Sequence, residues 1–322
     1  MPLPSDDKLL RLAEQLLAEF DAAFGVHPGF RPAHAKGILL TGSFTPSSEA
    51  ATLTGAPHAL RESTPVTVRF SDSTGLPTIP DFDANASPRG MAIRFHLAEH
   101  VHTDIIGHST DGFPARTGEE FLELMRAAAA SGPGSATPPP IALFVQNHPA
   151  AMVYLKTPRP AQASFATERY FGLTAMRFTN ADGTSRYGRY RMIPRAGLRY
   201  IDDATAKNMG ADYLFDEIRR RVAAGPVGFD VRVQIAATGD TVDDVTVHWP
   251  EDRPVLQFGK IELTAVAAGD AAGQKQIIFD PIPRIDGIEP SADPLLELRA
   301  AVYLLSGRRR RQAKEPGRTA AG

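Results

Sequence analysis

The stretch DGIEPSADPLLELRAAVYLLS, residues 286–306, decides the reading of this chain. Its apolar spacing after Pro294 predicts a helix over 292–306, and on it Arg299 and Tyr303 stand four residues apart, on one face. At that spacing a guanidinium can lie over the phenol oxygen and stabilise a phenolate, which is scarce at neutral pH. A buried tyrosinate is a hard anionic ligand suited to ferric iron. Without further context the same pair fits an ordinary amphipathic helix with a surface arginine and a buried tyrosine.

Composition narrows the choice. The 322 residues carry 35 basic and 37 acidic side chains, so no overall field favours nucleic acid or an anionic membrane. The local exception is the run Arg308 to Arg311. With no cysteine there is no disulfide, thiolate haem ligation, iron–sulfur cluster or cysteine zinc site, which leaves His, Tyr and carboxylates as metal ligands. The opening MPLPSDDKLLRLAEQLLAEF is acidic where a signal peptide is basic, and no apolar stretch approaches bilayer length. These features give the expectation of a cytoplasmic protein.

Helical spacing of Leu9, Leu10, Leu12, Leu16, Leu17 and Phe20, with Gly25 as a stop, predicts an opening helix over 6–24. Eight segments then have strand character: Gly37–Thr45, Pro65–Ser71, Gly90–His96, Thr103–Gly107, Thr174–Thr179, Arg186–Ile193, Phe229–Ala236 and Gly259–Ala265. That number suffices to close a barrel. A helical insertion, Gly118–Ala130, precedes the Pro/Gly-rich SGPGSATPPP and further helical pieces at 141–146 and 150–155; another helix is expected over 210–224. Asp182-Gly183 in NADGT supplies hairpin chemistry between two of the strands. With no βαβ alternation and no internal repeat, the expected fold class is α+β, built on an antiparallel sheet. The tail from Ala313 reads as polar and disordered.

The segment 286–306, with GIEPS followed by a helix carrying R-x-x-x-Y, resembles the haem-dependent catalase superfamily, in which tyrosine is the axial iron ligand. Further collinear matches support the resemblance. FRPAHAKGILLTGSF is similar to the catalase segment bearing the distal histidine, and TPVTVRFS to the strand after it. SPRGMAIRFHLAEHVHTDIIGHSTDGFPARTGEEF resembles the catalase stretch DPRG, K-F, D-L-V-G and helix; SFATERYFGLTAMRFTNADGTSRYGRYR resembles its later strand pair. Trp249-Pro250 ahead of Gly259-Lys260 extends the match, which runs from about residue 25 to about 310.

The resemblance implies a single domain over 1–312 (helix 6–24, barrel 34–267, proximal helix 292–306), an eight-stranded antiparallel β-barrel with inserted helices holding haem b. Tyr303 would be the axial ligand, beside Arg299, and His34 the distal acid and base, with Ser71 fixing its tautomer. One imidazole can do both jobs, because O–O heterolysis needs a base to take a proton from one peroxide oxygen and an acid to return it to the departing one. Arg31, Arg69 and Arg310 are placed to pair with the two haem carboxylates, Arg308 or Arg309 being alternatives to the last. Phe113 and Phe121 fall where the family packs phenylalanines near the haem, or are plain core.

Two departures bear on function. Catalases carry asparagine after the D-L-V-G glycine, where this chain has His108, and commonly valine where it has Ala33. An imidazole in place of a compact amide disfavours orientation of a second peroxide as reductant, and a smaller residue beside His34 opens the approach. The pattern looks like the short, catalase-related peroxidase branch. The expected activity is haem peroxidase chemistry on hydrogen peroxide or organic peroxides, with an organic electron donor. Alternatives on the same fold are a catalase, a fatty-acid hydroperoxide-converting enzyme and a non-catalytic haem protein. A histidine metal site built on His96, His100, His102 and His108 is a competing reading. No nucleic-acid or membrane partner is expected; a homo-oligomer follows from the family habit.

Overall fold

The computed structural model describes residues 3–313, so the tail from residue 314 lies outside the described residues. Segments rich in β-branched and aromatic residues form eight strands that close on themselves. They are β1 (Gly37–Pro46), β2 (Thr64–Ser71), β3 (Gly90–Ala98), β4 (Val101–His108), β5 (Tyr170–Phe171), β6 (Ser185–Pro194), β7 (Val227–Ile235) and β8 (Val255–Val266). The order is β7-β8-β1-β2-β3-β4-β5-β6, antiparallel throughout, and β6 returns to β7 with Met192 opposite Val231. Closure leaves the ring without an open edge.

Alternate residues point inward, and the interior is filled rather than hollow. Leu40, Phe44, Val68, Phe70, Ile93, Phe95, Phe229, Val231 and Phe258 are fully buried in one contiguous core.

One expectation needs correcting. The segment read as a barrel strand over 174–179 forms a strand only at Met176–Thr179, which pairs with β6 and with Ile288–Pro290 beside the ring. Its place in the ring is taken by β5, two residues long, through His108 opposite Phe171 and Tyr170 opposite Met192. Two residues carry no alternation, so no periodicity could mark them. The hairpin at 180–184 forms as its chemistry suggests, with Gly183 at φ 79° and Asn180 Oδ1 accepting from the amides of Asp182 and Thr184.

Four helices bear on the site: α1 (Asp7–Phe24), α2 (Gly118–Ala129), α3 (Asp270–Gln276) and α4 (Leu295–Gln312). Asp6 caps α1 through the amide of Lys8, at 2.8 Å, and Thr117 caps α2. Helix α4 runs past the expected end at Ser306, so Arg308 to Arg311 are helical and Arg309, Arg310 and Arg311 lie in its last turn, where cations complement the helix dipole. Separate helices at Pro140–Asn147 and Pro149–Lys156 follow the Pro/Gly-rich loop after α2, and the helix expected over 210–224 begins at Tyr213. Helices α1, α2 and α4 meet in a second apolar cluster, among them Leu12, Leu16, Leu122, Leu295, Leu298 and Ala301. Among the described residues no helix is long and apolar enough to cross a membrane.

Candidate active site

Between the barrel wall and this helical layer lies a cavity lined by the side chains that the resemblance assigns to a haem site: His34, Ser71 and His108; Arg299 and Tyr303; Arg31, Arg69 and Arg310; Phe113 and Phe121. Ala33 lines it too.

His34 sits just before β1 with φ 56°, a left-handed conformation that costs a non-glycine residue about 1 kcal/mol or more. Several bonds hold it there. Arg69 Nη2 donates to the His34 carbonyl at 2.8 Å and to that of Ala35 at 3.2 Å, and the Ala35 amide donates to the Thr74 carbonyl at 3.0 Å. Ser71, the last residue of β2, places Oγ 3.1 Å from His34 Nδ1. This approach requires glycine at position 90, where a Cβ would come within 2.6 Å of Ser71 Oγ and 3.1 Å of His34 Nδ1. Behind Ser71, Asp72 is buried against Arg89, whose Nη1 donates to Asp72 Oδ1, while Lys36 Nζ contacts Asp81 Oδ1 at 2.5 Å. The end of β2 is thereby anchored.

His108 ends β4 and stacks on His34, ring centroids 5.6 Å apart and planes 10° from parallel. Its side chain makes no hydrogen bond among the described residues, so both nitrogens are left to the cavity. Burial lowers the His34 pKa to about 4, assisted by the charge of Arg69. Burial likewise lowers His108 to about 3, assisted by His34 and Arg299. Both imidazoles are neutral at pH 7, each with one donor and one acceptor nitrogen.

On α4, Arg299 Nη2 lies 3.4 Å from Tyr303 Oη, as the i, i+4 spacing predicts. Burial works against the Arg299 charge, but the phenol oxygen, by charge and by hydrogen bond, and Asp293 outweigh it and raise its pKa. Asp293 Oδ1 accepts from the Leu295 amide at 2.9 Å and its Oδ2 from Thr174 at 2.8 Å; Thr174 Oγ1 is in turn 3.5 Å from Arg299 Nη1. The start of α4 and the orientation of Arg299 are fixed by one carboxylate.

The third group is cationic. Arg31 donates to the carbonyls of Gln274 (3.1 Å) and Ile277 (3.0 Å), and Arg310 to those of Lys275 (3.1 Å) and Ile277 (2.7 Å). Arg69 Nε donates to Gln274 Oε1 at 3.1 Å. Among the described residues, none of the three pairs with a carboxylate. Burial lowers the pKa of Arg31 and the charges of Arg69 and Arg310 lower it further, against an opposing effect of Tyr303; burial and Arg310 bring Arg69 down to about 9. Such a cluster is a site for anionic oxygens. Of the alternatives to Arg310, Arg309 pairs with Asp21 and Arg308 is exposed, so neither faces the cavity.

The competing histidine cluster does not assemble around His108. His96 and His102 face each other across β3 and β4, with His96 bonded to Thr67, whereas His108 faces the cavity.

Sequence reasoning missed several lining residues. Ile277, Ile278 and Phe279 follow α3 and form a strap across the cavity, held by Asp104, which accepts from the Asp280 amide at 2.7 Å. Gln274 also donates to the Gly37 carbonyl (2.8 Å) and to Asp270 Oδ1 (2.9 Å). The apolar run IIF was a signal for the strap, but nothing in the sequence marks Gln274. Leu16 and Phe20 of α1, which the sequence marks only as part of a helix face, also line the cavity.

The chain is also similar to known proteins. Residues 27–314 match the family described as Catalase. The chain is 36% identical over 285 residues to the catalase-related peroxidase of Mycolicibacterium paratuberculosis, covering 88% of this chain and 89% of that protein. To the catalase-related peroxidase of Synechococcus elongatus it is 32% identical, covering 91% of this chain and 87% of the other. A solved bacterial catalase superposes with a TM-score of 0.77 at 26% identity, covering 96% of this chain but 62% of its own, so the chain spans less than two thirds of that catalase.

Proposed function

The chain belongs to the catalase family, and from that premise and the cavity's geometry we propose that it is a haem b peroxidase, with Tyr303 as axial iron ligand and His34 as acid and base. The donor set fits the group. Three guanidiniums, those of Arg69 and Arg310 buried and that of Arg31 half-buried, have no carboxylate partner among the described residues and suit two propionates; apolar walls suit a flat macrocycle, and Tyr303 Oη, beside a cationic donor, suits ferric iron. When bound, the haem supplies the two-electron chemistry that the side chains lack.

The remaining work belongs to this chain. Arg31, Arg69 and Arg310 bind carboxylates by charge-assisted hydrogen bonds. Arg299 keeps positive charge beside the Tyr303 oxygen. Neutral His34, fixed in tautomer through Nδ1 by Ser71, takes a proton from one peroxide oxygen at its free nitrogen and returns it to the other as the O–O bond breaks. Two electrons then come from a small organic donor. His108 offers a ring where the resemblance leads one to expect a compact amide, which favours donor oxidation over orientation of a second peroxide.

The observation that carries the reading is the meeting of His34–Ser71 and Arg299–Tyr303 in one cavity with three uncompensated arginines. The test is peroxide-dependent oxidation of a reducing dye by haem-loaded protein, with His34→Ala alongside. The variant should keep its visible haem spectrum and lose about 100-fold or more of the rate; undiminished oxidation by it refutes the acid–base role.

A further inference from the structure

Helix α1 precedes the residues that match the catalase family, which begin at 27, yet it reaches the cavity. Leu16 and Phe20 both line it. The Phe20 ring lies 6.3 Å from that of Phe121, which lies 5.1 Å from Phe113, so α1 completes an aromatic wall begun by side chains at and before α2. Leu16 is only 3% exposed and belongs to the cluster that includes Leu122 of α2 and Leu298 of α4.

The seat of α1 is tight. At Gly118 a Cβ would come within 2.0 Å of Leu298 and 2.9 Å of Leu12, so the three helices meet without room for one more carbon. Ion pairs add ties from α1 to α2 (Lys8–Glu119, 3.4 Å; Glu19–Arg126, 2.8 Å) and to α4 (Asp21–Arg309, 2.5 Å). At the surface such pairs contribute little, so apolar packing holds the helix.

We infer that α1 is a working part of the cofactor site: Leu16 and Phe20 form an apolar face that the porphyrin body rests on and that excludes water, and this face governs how slowly the haem leaves. The inference rests on the haem reading above. An apolar macrocycle in a closed site is retained partly because its departure exposes apolar surface on both sides. Truncating either side chain lets water reach the macrocycle while it is still bound and leaves the arginines and Tyr303 untouched.

The test is haem transfer from loaded protein to excess apomyoglobin, followed by visible absorption, in the wild type and in Phe20→Ala, Leu16→Ala and Leu17→Ala. Leu17 is buried on the same helix but does not line the cavity, so it controls for loss of helix packing. Phe20 is only partly buried, so its truncation spares the fold even if Leu16→Ala does not fold. Phe20→Ala should transfer haem about tenfold faster or more, and Leu17→Ala within about twofold of the wild type. Equal rates for Phe20→Ala and wild type, or equal acceleration by Leu17→Ala, overturn the inference while leaving the haem reading intact. A wild-type protein that takes up no haem overturns both.

Discussion

Arg69 donates from Nη2 to the carbonyl of His34 at 2.8 Å, so a guanidinium of the cationic cluster also clamps the strained backbone of the distal histidine. Its Nε is held by Gln274 at 3.1 Å. An ammonium has charge but no planar fork, and cannot keep these bonds together. Arg69→Lys should therefore release haem faster and also lower kcat of the haem-loaded fraction by about tenfold, because His34 loses its position. Stopped-flow rates on protein quantified by its haem absorbance separate the two effects; an unchanged kcat per haem would show that the clamp is irrelevant to chemistry.

His108→Asn replaces a stacked ring by a small amide while leaving His34 and Ser71 in place. If the imidazole is what disfavours a second peroxide, oxygen evolution from hydrogen peroxide should rise about tenfold relative to dye oxidation. An oxygen electrode and a dye assay on one preparation give the ratio. No change in it means that the balance is set elsewhere.

Arg299→Gln keeps a hydrogen-bond donor on α4 but removes the charge. That charge helps to lower the pKa of both His34 and His108, though burial is the larger cause for each. Its loss should raise both values, so the acid limb of the rate profile, where His34 becomes protonated and stops acting as a base, should move to higher pH by a fraction of a unit. A haem titration should also show weaker uptake, through loss of the cation beside Tyr303. A pH–rate profile superimposable on that of the wild type argues against any influence of Arg299 on the distal side.

The sequence was legible where chemistry repeats along the chain and silent where it comes from distant segments meeting. Arg299 and Tyr303 could be paired from spacing alone, because helix geometry fixes which residues face each other. The His34–Ser71 contact came only through resemblance, since no local rule joins residues 37 positions apart. Gln274 was invisible for a similar reason: it bonds Arg69 from 205 positions away, and glutamine has no motif of its own. The ring strand Tyr170–Phe171 was too short for a period, while the more strand-like Met176–Thr179 proved peripheral because tertiary pairing, not propensity, selects members of a closed sheet.

His58 supplies a test of pH and stability that is separate from the cavity. Its ring is 1% exposed among Phe44, Phe95 and Phe258, at centroid distances of 4.6–6.0 Å, and neither nitrogen has a hydrogen-bond partner among the described residues. Burial, with a smaller contribution from Arg61, lowers its pKa to about 4. In the unfolded chain the same group titrates near ~6.5, so between these values the unfolded state binds the extra proton. The stability held by the neutral ring is whole above pH ~6.5 and is lost as pH falls toward about 4, by at most ~3 kcal/mol. His34 and His108 slope in the same direction. His58→Leu fits the aromatic surroundings and removes both the titration and an unpaired N–H, so urea unfolding should show a gain of about 1–3 kcal/mol over wild type at pH 5, smaller at pH 8. A gain of equal size at the two pH values would mean that packing alone, and not protonation of His58, separates the variant from the wild type.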